Sequence, residues 1–425
     1  MQYKNIKINI PKYPRIILET LKANGYNAYI VGGCVRDELL QKNPSDFDIT
    51  TNAKPNDIKK IFNKTIDTGI KHGTVSVLFY ENNSPKIFEV TTYRIDGKYD
   101  DSRHPNEVHF VNDLKEDLRR RDFTVNAMAY NDDEGLNDEF NGFEDLKNGI
   151  IRAVGNPTER FTEDALRLLR AIRFAAKLGF KIENETEIAM PKLASNLSNI
   201  SKERIQVELT KTITSKNPNY VKKIFDYGFA KYICDDFDKI KLGHFMLSSE
   251  THIAYTCLFY NTKCDIAKKI LKCLKFDNNN IQKITLLLDA KKIYKEIKNI
   301  YNKRKKFENI DSEIKISVKK LVNFLNYDLT YDFIDILYVN NKNDKMLIDK
   351  ILQIVKHLEE TKTSIFISDL KIDGNDLKNI GFSGVEIGFM LSKILSLVYK
   401  NENFNQKKLL QDMAKKVYNI YSKKQ

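Results

Sequence analysis

The spacing of the apolar residues changes once along this chain, near residue 160, and that change limits the fold more than any other feature. Before it, β-branched and aromatic residues gather in short runs bounded by Gly, Asn and Pro: AYIVG (28–32), FDIT (47–50), TVSVLFY (74–80) and KIFEVTTYR (86–94). Such runs predict strands. Between them PNDIKKIFN (55–63) predicts a helix opening at Pro55, where the missing N–H costs nothing. The polar segment IDGKYDDSRHPNE (95–107) predicts a loop. After the change, apolar residues recur three and four apart. TEDALRLLRAIRFAAKLGF (162–180) predicts one helix with Thr162 as its N-cap, acids in its first turn and Gly179 near its end. Further helices are predicted over 203–215, 266–275, 280–300, 313–326, 345–360 and 386–399, and almost no strand signal follows residue 160. The expected fold class is α+β: a mixed sheet with flanking helices first, then an all-α remainder.

At 425 residues and 42% hydrophobic, the chain can bury a large core and should form two to four domains. No apolar run approaches the ~20 residues that span a bilayer, and the start has no signal-like apolar stretch. The five cysteines, Cys34, Cys234, Cys257, Cys264 and Cys273, form no CxxC pair and suit reduced thiols in a cytoplasm. The net charge of +13 is uneven: residues 1–160 hold 23 Lys and Arg against 25 Asp and Glu, so the surplus lies beyond them. Within 266–306 there are 13 basic and 3 acidic residues. A basic portion behind a slightly acidic one suggests a polyanion-holding region beside a cation-holding one.

The motif-rich segment is AYIVGGCVRDELLQKNPSDFDIT (28–50). Gly32 and Gly33, turning from strand to helix, let backbone N–H groups approach a triphosphate, and Arg36 can add a charge-assisted contact. In a strand, residues two apart face one side, so Asp46 and Asp48 would present two carboxylates to one spot. Their repulsion calls for a cation, and Mg²⁺ fits, since it takes few carboxylates and completes its shell with phosphate and water. Glu89, with apolar flanks, is the candidate third carboxylate of a two-metal site. In LRRRDFTVNAMAY (118–130), Arg120 and Arg121 can hold phosphates, and Asp122 can accept from a ribose hydroxyl with Asn126 nearby. On a helix through EDALRLLRAIRF (163–174), Glu163, Asp164, Arg167 and Arg170 share a face. An ordinary Glu163–Arg167 ion pair is one reading; a side-chain reader of a base is the other. Arginine only donates and a carboxylate only accepts, a pattern that suits the Watson–Crick edges of cytosine and adenine and rejects guanine and uracil.

These stretches resemble the class II tRNA nucleotidyltransferases, the CCA-adding enzymes of the tRNA nucleotidyltransferase/poly(A) polymerase family. The resemblance rests on GGCVRD with DFD, EVTTYR, LRRRDFTVNAM, DEFNGFEDLKNGIIRAVG, EDALRLLRAIRF and ERIQVELTK, in that order over roughly 26–215. A fainter likeness, IDGNDLKNIGFSGVEIG (372–388), has Val385 where the family commonly has proline. The resemblance implies a nucleotidyltransferase head (1–150), a helical neck with a base-selecting helix (151–215), a helical body (216–330) and a helical tail (331–425). It implies metal binding by Asp46 and Asp48 with Glu89 assisting. Triphosphate would be held by Gly32, Gly33 and Arg36, phosphate and ribose by Arg121, Asp122 and Asn126, and the base chosen by Glu163, Asp164 and Arg167. Asp101 and Arg103 would lie in a loop that helps switch from C to A addition. The implied partners are CTP, ATP and the acceptor and T arms of tRNA, in the cytoplasm, with no membrane and no stable protein partner evident. CC-only addition, A-only addition and poly(A) synthesis are the neighbouring activities. DTGIKHGTVSV (67–77) lacks the GRRF-like segment of the poly(A) enzymes.

Overall fold

The computed structural model describes residues 2–97, 108–303 and 310–422. The chain forms two compact units, Met1–Asp238 with Cys273–Lys275, and Lys239–Lys272 with Phe276–Gln425.

The first unit is built on a sheet. Its strands are β1 (Gln2–Tyr3), β2 (Ala28–Val31), β3 (Asp48–Thr51), β4 (Thr65–Gly69), β5 (Thr74–Glu81) and β6 (Ser84–Thr92). After a separate hairpin of β7 (Arg94–Asp96) and β8 (Val108–Phe110) come β9 (Met128–Asn131) and β10 (Gly135–Asp138). The eight-stranded order is β1-β10-β9-β2-β3-β6-β5-β4. Its neighbours run antiparallel except β3 and β6, which are parallel with Ile49 opposite Val90. This is the mixed sheet expected. At its centre β2 is buried along its whole length, as an uninterrupted AYIV run requires. Helix α1 (Lys12–Ala23) covers it with Pro14, Ile17, Leu18 and Leu21, spaced for one helical face.

Several boundaries differ from the sequence reading. Of the segment expected as a polar loop, Ile95 and Asp96 belong to β7, and 98–107 lie outside the described residues. β3 begins at Asp48, which leaves Asp46 in the irregular segment before it; the two-apart strand argument therefore does not apply to that pair. The strand β10 (GLND) escaped notice because Gly, Asn and Asp have poor strand propensity, and β4 (TIDTG) because Asp67 and Gly69 interrupt its β-branched residues. In β10 the polar residue has its own use. The carboxylate of Asp138 accepts from the N–H groups of Gly142 and Phe143 at 2.8 and 2.9 Å, fastening the start of the helix Gly142–Asn148. A side chain at Gly142 would meet the carbonyl oxygen of Thr124 at 2.1 Å, so only glycine fits.

The helix predicted from Thr162 is two helices. One is Pro157–Glu163, capped by Asn156 and containing Thr162; the other is Leu166–Leu178, closed by Gly179 at φ +77°. Asp164 between them is extended (φ −140°, ψ 102°). Its carboxylate accepts from the N–H of Leu166 at 3.0 Å, and this local bond competes with the helical one.

Among the described residues no strand follows Ile182. In the second unit the principal helices are Thr251–Phe259, Asn278–Asn302, Ile310–Leu325, Tyr327–Asn340, Lys345–Glu360, Val385–Lys400 and Lys407–Ser422. Their apolar stripes form two cores. One is centred on residues such as Leu321, Phe333, Leu337 and Ile351, the other on Leu377, Ile394, Val398 and Leu410. Lys319 is buried and reaches Glu402 Oε1 at 2.7 Å and the Tyr399 carbonyl at 3.3 Å. Among the described residues no single helix is long and apolar enough to cross a membrane; Gly374–Ile380 and Val385–Lys400 reach that hydropathy only together, across a 112° bend.

Candidate active site

A cleft of about 450 Å³ opens in the first unit. Into it the structure brings Gly32, Gly33, Arg36, Asp48, Arg121, Asp122, Asn126, Asp164, Arg167 and Arg170, all singled out by sequence. Segments far apart in the chain therefore meet at one place. The turn after β2 provides the glycines. Gly32 sits at φ +81°, a backbone angle that favours glycine, and a side chain there would also press on the Arg121 guanidinium at 2.9 Å.

At the floor, β3 and β6 set the carboxylates. Since Ile49 pairs with Val90 in parallel register, one step back brings Asp48 level with Glu89. The protein around Asp48 raises its carboxyl above the ordinary range; Arg121 opposes the rise and Asp46 adds to it. Glu89 is raised too, by burial first and then by the charges of Asp48 and Asp46. The three acids thus feel one another although Asp46 and Glu89 do not line the cleft. Among the described residues no three His, Cys, Asp or Glu side chains close on one point as a ready cage. The set still fits a divalent cation of the magnesium kind, which takes one or two carboxylates and draws its other oxygens from phosphate and water. The repulsion among these carboxylates, which adds to the effect of burial on Asp48 and Glu89, is what such a cation would relieve.

The cleft wall is a ladder of paired charges. Asp122, buried, receives Arg170 Nη2 at 2.6 Å and Arg170 Nε at 2.8 Å on one oxygen, and Asn126 Nδ2 at 3.0 Å on the other. Burial alone would raise this carboxyl, but the charge of Arg170 and these hydrogen bonds hold it down at about 2. Asn126 Oδ1 in turn accepts from Arg36, whose guanidinium also grips Asp37 at 2.7 Å. Behind the arginine run, buried Asp117 takes Arg120 at 2.9 Å, Arg121 at 3.5 Å and the Thr50 hydroxyl at 3.0 Å.

The expected Asp–Arg reader is arranged differently from a single helical face. Glu163 does pair with Arg167, at 2.7 Å, so the ordinary ion pair exists and holds the Arg167 guanidinium in place, with the Arg120 carbonyl at 2.9 Å. Asp164, displaced by the helix break, instead receives Arg204 at 2.8 Å from the helix Lys202–Ile213. Glu163 stands behind the lining and Asp164 and Arg167 stand in it. Asp101 and Arg103 lie outside the described residues.

Arg120, also singled out by sequence, and Leu166 line the cleft as well; sequence reasoning missed Arg173, Phe174, Lys177 and Arg204 in the lining, and Glu208, which backs it. For the first three a signal existed, since they continue the Arg170 row at three, four and seven residues. The Phe174 ring carries three guanidiniums, Arg36 and Arg170 at 5.3 Å and Arg173 at 4.0 Å from its centroid. For Arg204 and Glu208 there was no local signal, because only the packing of two helices brings them in.

Residues 28–152 match the poly A polymerase head domain family, and 179–240 match a family described as a probable RNA and SrmB-binding site of polymerase A. The chain is 35% identical to the CCA-adding enzyme of Ligilactobacillus salivarius, across 94% of this chain and 95% of that one. It is 38% identical to the CCA-adding enzyme of Oceanobacillus iheyensis, across 93% and 95%. Among solved structures, the Bacillus stearothermophilus CCA-adding enzyme in complex with CTP matches with a TM-score of 0.75 at 26% identity, covering 98% of this chain and 100% of that one. Agreement over nearly the whole length, and not the head alone, places this chain in the family of CCA-adding enzymes.

Proposed function

We propose that this protein builds and repairs the 3′-terminal CCA of tRNA from CTP and ATP, without a nucleic-acid template, releasing pyrophosphate. The observation that carries the reading is the cleft itself, which gathers a glycine turn, a carboxylate floor, a cationic wall and an Asp–Arg pair of base-reading chemistry. Gly32, Gly33 and Arg36 hold the triphosphate, and Arg121, Asp122 and Asn126 hold phosphate and ribose. Asp164 and Arg167 face the base, with Glu163 fixing Arg167 and Arg170 fixing Asp122. Asp46 and Asp48, with Glu89 beside them, hold Mg²⁺. When bound, such a cation lowers the pKa of the attacking 3′-hydroxyl and offsets charge on the leaving oxygens. The side chains themselves fix the α-phosphate near that hydroxyl, and such positioning supplies much of the rate. Asp101 and Arg103 take part in the switch from C to A addition.

We assign 1–150 as head, 151–215 as neck, 216–330 as body and 331–425 as tail. The basic surplus beyond residue 160 supports a role for the last three in gripping the acceptor and T arms by shape and phosphate, in the cytoplasm. The test is extension of tRNAs ending at the discriminator base, at C and at CC, with magnesium and CTP, ATP or both. All three should reach CCA and stop. Products ending at CC, or extended only from CC, would make it a partial enzyme, and long A tails would make it a poly(A) polymerase.

A further inference from the structure

The helix Leu166–Leu178 sends four cations into the cleft: Arg167, Arg170, Arg173 and Lys177. Three are in ion-pair contact with a carboxylate: Arg167 with Glu163 at 2.7 Å, Arg170 with Asp122 at 2.6 Å, and Arg173 with Glu208 at 2.6 Å. Lys177 is not. Among the described residues the one carboxylate oxygen within ion-pair range of its ammonium is Asp37 Oδ2 at 3.8 Å, and Asp37 is already held on Oδ1 by Arg36 at 2.7 Å. Burial lowers the Lys177 pKa, and Arg36, Arg173 and Lys42 push the same way against Asp37. The ammonium therefore has hydrogen-bond donors to spare, and the one carboxylate near it, Asp37, is shared with Arg36.

Its place is equally informative. Lys177 follows Arg167 by ten residues, about 15 Å along a helix. That sets it at the opposite end of the cleft from the Asp164–Arg167 pair, beside the Arg36–Asp37 contact at the glycine turn. A nucleotide whose base meets Arg167 points its outer phosphates toward Lys177. When the new O–P bond forms and the α–β bridging P–O bond breaks, the electron pair leaves on pyrophosphate and the hydroxyl proton passes to water. A lysine with uncommitted donors at that end meets the departing charge.

We propose that Lys177 binds the outer phosphates of the incoming nucleotide and the pyrophosphate formed from them, and takes no part in choosing the base. This rests on the reading of the cleft as a nucleoside-triphosphate site. In the full-length enzyme, Lys177→Ala should raise the KM for CTP and for ATP, and the inhibition constant of pyrophosphate, each about tenfold, the loss of one charge-assisted contact. Inhibition by CMP and the preference for CTP over UTP should not move, and Lys177→Arg should restore most of the loss. Unchanged pyrophosphate inhibition, or equal weakening of CMP, would overturn the proposal. So would recovery of KM in Lys177→Ala with Asp37→Asn, since the lysine would then serve only to screen Asp37. Wild-type enzyme that fails to extend tRNA with CTP would overturn the parent reading instead.

Discussion

The cleft of the first unit and the helical core of the second use opposite materials. The cleft is walled by buried or half-buried charges, most of them tied to a named partner: Asp122 to Arg170 and Asn126, Asp117 to Arg120, Arg36 to Asp37. The second unit is held by aliphatic and aromatic contacts, with Lys319 and His252 among the few charged or titratable exceptions, each paired, to Glu402 and Asp332 at 2.7 Å. Hydrogen bonds and ion pairs are directional, so a partner must be of one kind at one place. Apolar packing asks only for volume and periodicity, and many residues satisfy it. The first region therefore carries legible motifs and the second carries only a pattern.

The comparison can be broken at its extremes. Asp48→Ala should reduce turnover at least ten-thousandfold, on the order of 5 kcal/mol of barrier, while thermal melting hardly moves. A large loss of stability with modest loss of rate would make Asp48 a structural residue. Phe333→Ala, at a fully buried position of the second unit, should do the reverse: about 4 kcal/mol less stability in urea titration, with turnover of the folded enzyme little altered. Asp164→Ala should relax nucleotide choice by about a hundredfold, or ~2.7 kcal/mol, read as the ratio of kcat/KM for CTP and UTP. Equal loss on both nucleotides would show that Asp164 only fastens Arg204.

The next effect depends on pH. Asp122 titrates at about 2 when folded, against about 3.9 in an unfolded chain. A depressed carboxyl contributes stability that is complete above about pH 4 and is lost as the pH falls toward 2. Asp122→Asn should remove that part of the acid-limb slope, on the order of 2 kcal/mol, in unfolding midpoints measured between pH 5 and 2. Other depressed carboxyls such as Asp117 and Glu187 leave a residual slope; a slope unchanged from wild type would move the acid sensitivity away from Asp122. The smallest change should come from Lys272→Ala, an exposed position on the helix Cys264–Cys273, which should shift stability by no more than ~0.5 kcal/mol.

Much of the candidate site was readable because its parts are short and local. The glycine turn before Arg36, the carboxylates near residue 48 and the arginine run before Asp122 each occupy a few adjacent residues. What was not readable depends on distance or on competition. Arg204 and Glu208 reach the cleft only because their helix packs against Leu166–Leu178. The break at Asp164 arises because its carboxylate takes the Leu166 N–H from the helix, an outcome that helical spacing cannot anticipate. Strand β10 is buried despite Asp138, since the capped helix makes use of that carboxylate.

By itself, then, the sequence determined the α+β division, the helical remainder and the family, since periodicity and short motifs survive without knowledge of the fold. Tertiary structure decided which charges pair. It gave Asp164 to Arg204 and Arg173 to Glu208, and left Lys177 with no carboxylate in hydrogen-bond range. The physical reason is range: propensity and periodicity act over a few residues, whereas an ion pair is settled by whichever opposite charge the folded chain brings within a few ångströms.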